Sequence, residues 1–111
     1  MRREVALWLA QRVTAVVLAI CIAVHLLTII YAVRHGLTAA EILGRTRGSV
    51  AWSAFYATFV LAAAIHGAIG LRTVASEWLR LRGDALEIGM TVVALALTFL
   101  GLRAVYAVFG A

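Results

Sequence analysis

Three long apolar runs, Val13 to Val33, Val50 to Leu71 and Leu86 to Phe109, constrain this chain more than any other feature. Each is about 20 residues or slightly longer, enough as a helix to cross a hydrocarbon layer roughly 30 Å thick. In lipid the runs must be helical, because three strands cannot close a barrel and unpaired backbone groups are too costly there. Composition agrees. With 65% hydrophobic residues, 14% charged residues, no proline and a mean hydropathy of +1.03, too little polar surface exists to coat a soluble core. The expected fold is an all-α membrane protein. It is read as a single transmembrane domain over 1–111, with three transmembrane helices at about 10–34, 50–75 and 85–109.

The connectors fit this plan. Arg34-His35-Gly36 through Arg47-Gly48-Ser49 separates the first two runs, and Glu77 through Asp84 separates the last two. The second link is short, so the second and third spans are expected as antiparallel neighbours. Within the first, Thr38-Ala39-Ala40-Glu41 has the spacing of a capping box and predicts a turn or two of surface helix. The run after Met1-Arg2-Arg3 is longer than the apolar stretch of a signal peptide and contains Thr14, His25 and Thr28, so it is read as retained. The ten arginines and five acids cluster between the runs, which reads as topology and excludes a nucleic-acid-binding face. Arg2, Arg3, Arg12, Arg72, Arg80 and Arg82 fall on the N-terminal side, against Arg34, Arg45, Arg47 and Arg103 opposite. Positive-inside bias then puts the N-terminus in the cytoplasm. Trp8, Trp52, Trp78 and Tyr31 fall near span ends, as interfacial aromatics do. The lone Cys21 cannot form an internal disulfide.

Ionisable groups inside a bilayer are expensive, so His25, His66 and Arg72 are the first functional candidates. At about 100° per residue, Gln11, Thr14, Cys21 and His25 form one stripe on the first helix, which should face protein or cofactor. The face of His66 carries Phe59, Ala62, Gly70, Thr73 and Glu77, small near the histidine, so that a flat ligand or another helix can approach. Each histidine is either a hydrogen-bonded packing residue or an axial ligand to haem. A zinc-type site is disfavoured, since no carboxylate or thiolate stands at ligand spacing. His25 lies about 20 Å in from Arg12 and His66 about 9 Å in from Arg72, at 1.5 Å per residue. A depth difference of roughly 10 Å prevents the two from sharing one iron. Arg12 and Arg72 either snorkel at the span ends or hold haem propionates or a quinone carbonyl.

Gln11-Arg12-Val13-Thr14-Ala15 is similar to the His-Arg-Val-Ser-Gly motif, and His66-Gly67-Ala68-Ile69-Gly70-Leu71-Arg72 resembles the His-x-x-x-Gly-Ile-Arg motif, of one family. That family is the membrane-anchor cytochrome b subunits of succinate dehydrogenase and fumarate reductase (complex II), and the resemblance covers nearly the whole chain. It implies that His66 ligates haem b and that Arg12 lies near the quinone head group and a propionate. It places Trp78 where the smaller anchor carries a quinone-contacting tyrosine, and Trp8 where a serine associated with quinone binding stands. His25 resembles the first-helix ligand of two-haem members, so one haem b or two are implied.

The implied role is a non-catalytic, electron-transfer subunit of an oxidoreductase in the inner (cytoplasmic) membrane, tied to the tricarboxylic acid cycle. Its implied partners are a flavoprotein subunit, an iron–sulfur subunit and membrane lipid. Three helices cannot enclose a haem on both faces, so this chain forms half of a haem-binding helical bundle completed by a second membrane-anchor subunit or a copy of itself. The alternatives are a haem-free membrane scaffold and a small membrane transporter. The latter needs a carboxylate inside a span, whereas Glu4, Glu41, Glu77, Asp84 and Glu87 all stand at or beyond span ends.

Overall fold

Nothing in the first 35 residues breaks a helix, for the chain has no proline and meets its first glycine at Gly36. The computed structural model, which describes residues 2–110, accordingly runs α1 unbroken from Arg2 to His35. At 1.5 Å per residue its 34 residues span about 51 Å. That matches the 49 Å long dimension of the molecule and exceeds a bilayer's apolar layer, so α1 carries its charged first turn past the span read from hydropathy. The remaining helices are α2 (Ala39–Thr46), α3 (Val50–Trp78) and α4 (Asp84–Phe109). The described residues contain no strand, and α1, α3 and α4 are each long and apolar enough to cross a membrane. The protein is an all-α, multi-pass membrane bundle.

The capping signal at Thr38 opens α2: its hydroxyl accepts from Glu41 N at 3.2 Å and donates to Glu41 Oε1 at 2.7 Å. Gly36, at φ +134, turns the chain between α1 and α2 with the Glu41 carboxylate lying where a Cβ would stand. The α2–α3 junction then closes the far end of α4. Gly48 N donates to Phe109 O at 2.8 Å and Thr46 Oγ1 to Val108 O at 2.7 Å, satisfying carbonyls that a helix C-terminus leaves open.

The central helix is α3, packed most extensively on α4 and then on α1. Its two contact faces follow from helical spacing. Val60, Ala64 and Gly67 make the α4 side, with Val60 against Gly101 and Gly67 against Leu97. Phe59, Ala62, His66 and Gly70 make the α1 side, where Phe59 meets His25, His66 meets Thr14 and Gly70 meets Gln11. Ala62, Ala64 and Ala68 are buried, and among the described residues no large side chain is fully so. Association therefore rests on close approach of small residues, as expected where lipid competes for every apolar contact. The stripe on α1 faces inward, with Thr14 and Cys21 buried and Gln11 and His25 half-buried.

The tightest point is Gly101. A Cβ there would collide with Val60 Cγ1 and approach Val60 Cγ2 to 2.9 Å and its Cβ to 3.1 Å, none of which can swing away on a β-branched side chain. Gly101→Ala is expected to destabilise the α3–α4 pair by about 1–3 kcal/mol. Unfolding titration in mixed detergent measures this, and Val60→Ala in the same chain should restore most of the loss.

Candidate functional site

Antiparallel α1 and α3 bring two candidate histidines to different levels of one interface. His66 Nδ1 lies 3.2 Å from Thr14 Oγ1. The threonine proton is already engaged, because Oγ1 sits 2.7 Å from the Ala10 carbonyl oxygen and 3.1 Å from that of Gln11. Two oxygens 2.7 Å apart need a proton between them, so Thr14 accepts and the His66 Nδ1–H donates. In the neutral ring that arrangement leaves Nε2 as the nitrogen with an available lone pair. Among the described residues nothing hydrogen-bonds to Nε2. A neutral imidazole anchored at Nδ1 and free at Nε2 suits an axial haem ligand. No group of three His, Cys, Asp or Glu side chains able to hold a bare metal ion occurs among the described residues, but a haem iron needs only one such ligand from each side.

The small residues around His66 serve helix approach: Gly70 lies under Gln11 and Gly67 under Leu97. Gln11 Oε1, one turn from Thr14, is buried without a hydrogen-bond partner. An acceptor left open in this way costs about 1–3 kcal/mol unless a bound group or neighbouring chain supplies a donor.

His25 lies 11 residues beyond Thr14 on α1, about 16 Å along the axis at 1.5 Å per residue. It stands among aromatics, edge-on to Tyr56 and Phe59 at centroid distances of 5.9 and 5.6 Å, with Nδ1 3.5 Å from the Tyr56 hydroxyl. The ring borders an open, mostly apolar groove of about 720 Å³ shared by Tyr31, Arg45, Trp52 and Tyr56.

The arginines part company. Arg12 is exposed and forms no ion pair among the described residues, and its guanidinium sits 5.3 Å from the Trp8 ring centroid, a cation–π contact one turn apart. Trp78, the last residue of α3, is 80% exposed. Arg72, with a side chain only 16% exposed, donates from Nη2 at 2.8 Å and Nε at 3.1 Å to Glu87 Oε1. Glu87 Oε2 also accepts from Arg3, and Glu4 lies 3.8 Å from Arg72. One carboxylate at the start of α4 thus ties α1, α3 and α4 at the end that carries the N-terminus. Glu87→Ala is expected to lower bundle stability by about 1–3 kcal/mol, since it leaves a largely buried guanidinium without its partner. Comparing it with Arg72→Leu and the double variant in thermal unfolding should show strong coupling.

Residues 1–103 match the model of the family described as succinate dehydrogenase/fumarate reductase transmembrane subunit. The chain belongs to that family. The match spans all six candidate residues, Trp8, Arg12, His25, His66, Arg72 and Trp78. No curated protein and no solved structure matches the chain. A succinate dehydrogenase/fumarate reductase transmembrane subunit works in lipid and within a larger complex.

Sequence reasoning about this subunit missed two contacts and a groove. The Thr14–His66 bond joins residues 52 apart and follows only from the α1–α3 register. The stripe containing Thr14 signalled an inward face, without naming what it would meet. Glu87 reads in the sequence only as an acid at or beyond a span end, although an acid in a helix's first turn, where the macrodipole favours it, is a signal. The groove beside His25 depends on α2 folding back, which hydropathy does not report.

Proposed function

We propose that this succinate dehydrogenase/fumarate reductase transmembrane subunit ligates haem b through His66 and walls a quinone site, serving electron transfer between an iron–sulfur subunit and quinone. The single observation that carries the proposal is the His66 ring itself. It sits inside a family-matched helix with Nδ1 held by Thr14 and Nε2 without a partner among the described residues. When bound, haem b supplies a one-electron redox centre. The chain's own contribution is to present Nε2, exclude water around it with small apolar residues, and anchor the complex in the inner membrane with its N-terminus in the cytoplasm.

Substrate chemistry belongs to a separate flavoprotein in this reading, and the second face of the haem to a second membrane-anchor subunit. At the N-terminal end Arg12, braced on Trp8, has its donors free for a quinone carbonyl or a haem propionate. Arg72 spends Nε and Nη2 on Glu87 and keeps Nη1, so holding α4 and meeting a propionate are compatible. Trp78 can donate its indole N–H to the same region. A second haem at His25 is favoured by the groove alongside it.

Purification of the tagged chain from its native membrane tests the proposal. Flavoprotein and iron–sulfur subunits should copurify, identified by mass spectrometry, and the reduced complex should show a b-type α-band. An intact colourless complex would reject haem ligation, and isolation of the chain without those partners would reject the electron-transfer role.

A further inference from the structure

We infer that Thr14 is a positioning residue for the His66 ligand: its hydroxyl fixes the imidazole's tautomer and rotation and thereby tunes the potential of the iron that Nε2 holds. The inference rests on the proposed haem ligation. Threonines in apolar helices ordinarily bond the carbonyl one turn back, and Thr14 does so with Ala10 at 2.7 Å. That bond by itself would be unremarked local geometry. What distinguishes Thr14 is that the same oxygen, its proton spent, turns its remaining lone pair on the His66 Nδ1–H across the helix interface at 3.2 Å. The residue is only 8% exposed, so no water competes for that role.

Two consequences follow from the chemistry. Without an acceptor at Nδ1, the imidazole can place its proton on either nitrogen, and the tautomer protonated at Nε2 cannot bind iron through that atom. An outer partner that accepts the ligand's N–H also raises the basicity of the coordinating nitrogen, which favours the ferric over the ferrous state. A neutral hydroxyl does this weakly compared with a carboxylate. Thr14 therefore orders the ligand while leaving the haem easier to reduce than an anionic partner would.

The test compares Thr14→Val, which keeps the shape and removes the acceptor, with Thr14→Ser, which keeps the acceptor. Both are made in the full complex purified from membrane. The readouts are haem content per complex, the haem midpoint potential by redox titration, and the ferric low-spin EPR spectrum, whose g-values report ring orientation. Thr14→Val should either lose haem by roughly tenfold in affinity or more, or retain it with an altered EPR spectrum and a raised potential. A threefold to tenfold shift of the ferric-to-ferrous ratio corresponds to a rise of up to about 59 mV. Thr14→Ser should match the parent in all three readouts. Parent values in Thr14→Val, or equal changes in the valine and serine variants, would overturn the inference. Parallel measurement of His66→Ala separates the two levels. Haem retained there defeats the ligation itself, whereas haem lost there with Thr14→Val unchanged defeats only the role given to Thr14.

Discussion

His66→Ala is expected to abolish the reduced b-type α-band of the complex while leaving its subunits assembled. The imidazole pairs an Nδ1 held by Thr14 with an Nε2 that no described residue engages, and alanine offers iron nothing in its place. Second partners of a metal ligand are worth 10–100-fold in affinity, so removing the ligand itself should lower haem content by at least roughly that factor. Loss of assembly could mimic this result. The structure makes assembly separable, because His66 is only half-buried and the helices around it are held elsewhere, by Gly101 against Val60 and by Glu87 between Arg3 and Arg72. Copurification of the partner subunits, measured beside the spectrum, checks the point. An unchanged α-band in an assembled His66→Ala complex would remove the basis of the proposed function.

The split between what the residues announced and what they withheld has a physical origin. In a bilayer the solvent imposes helix and length, so Val13 to Val33, Val50 to Leu71 and Leu86 to Phe109 are legible one residue at a time. The same holds for the turn at Thr38 and Glu41, whose partners lie three positions apart. Depth is legible only in part: placed against their flanking arginines His25 and His66 differ by roughly 10 Å, but the Thr14–His66 contact separates their levels by about 16 Å, because Arg12 and Arg72 do not lie level. The register between helices is not legible. It depends on how far α2 and its loops offset α3 from α1, and that offset decides that Thr14 meets His66 and that Tyr56 and Phe59 meet His25. Arg72 shows the limit most clearly. Its position at a span end was evident, yet snorkelling, propionate binding and an ion pair to α4 are equally compatible with one arginine in one helix, until Glu87 is found 2.8 Å away.

Haem quantification by pyridine haemochrome is expected to give about two haems per complex, and His25→Ala to remove one of them, with the absorption due to the His66 site retained. The two histidines stand well apart along α1 and α3. About 16 Å of α1 lies between the level of Thr14 and that of His25, so one iron cannot take both imidazoles, and loss at one level should spare the other. His25 borders a groove of about 720 Å³ whose apolar and aromatic walls carry Arg45 as their cation, a setting for a flat group with an acidic edge. Against this stands the aromatic packing of the ring on Tyr56 and Phe59, which gives His25 a reason to be present in a haem-free interface. The two accounts diverge in the variant. As a ligand, His25 takes half of the haem with it. As a packing residue, its replacement costs about 1–3 kcal/mol of stability through lost aromatic contact and leaves the haem count untouched. A single haem in the parent complex, or a count unaltered in His25→Ala, would reduce this chain to one ligand and assign the outer groove to packing against its partner.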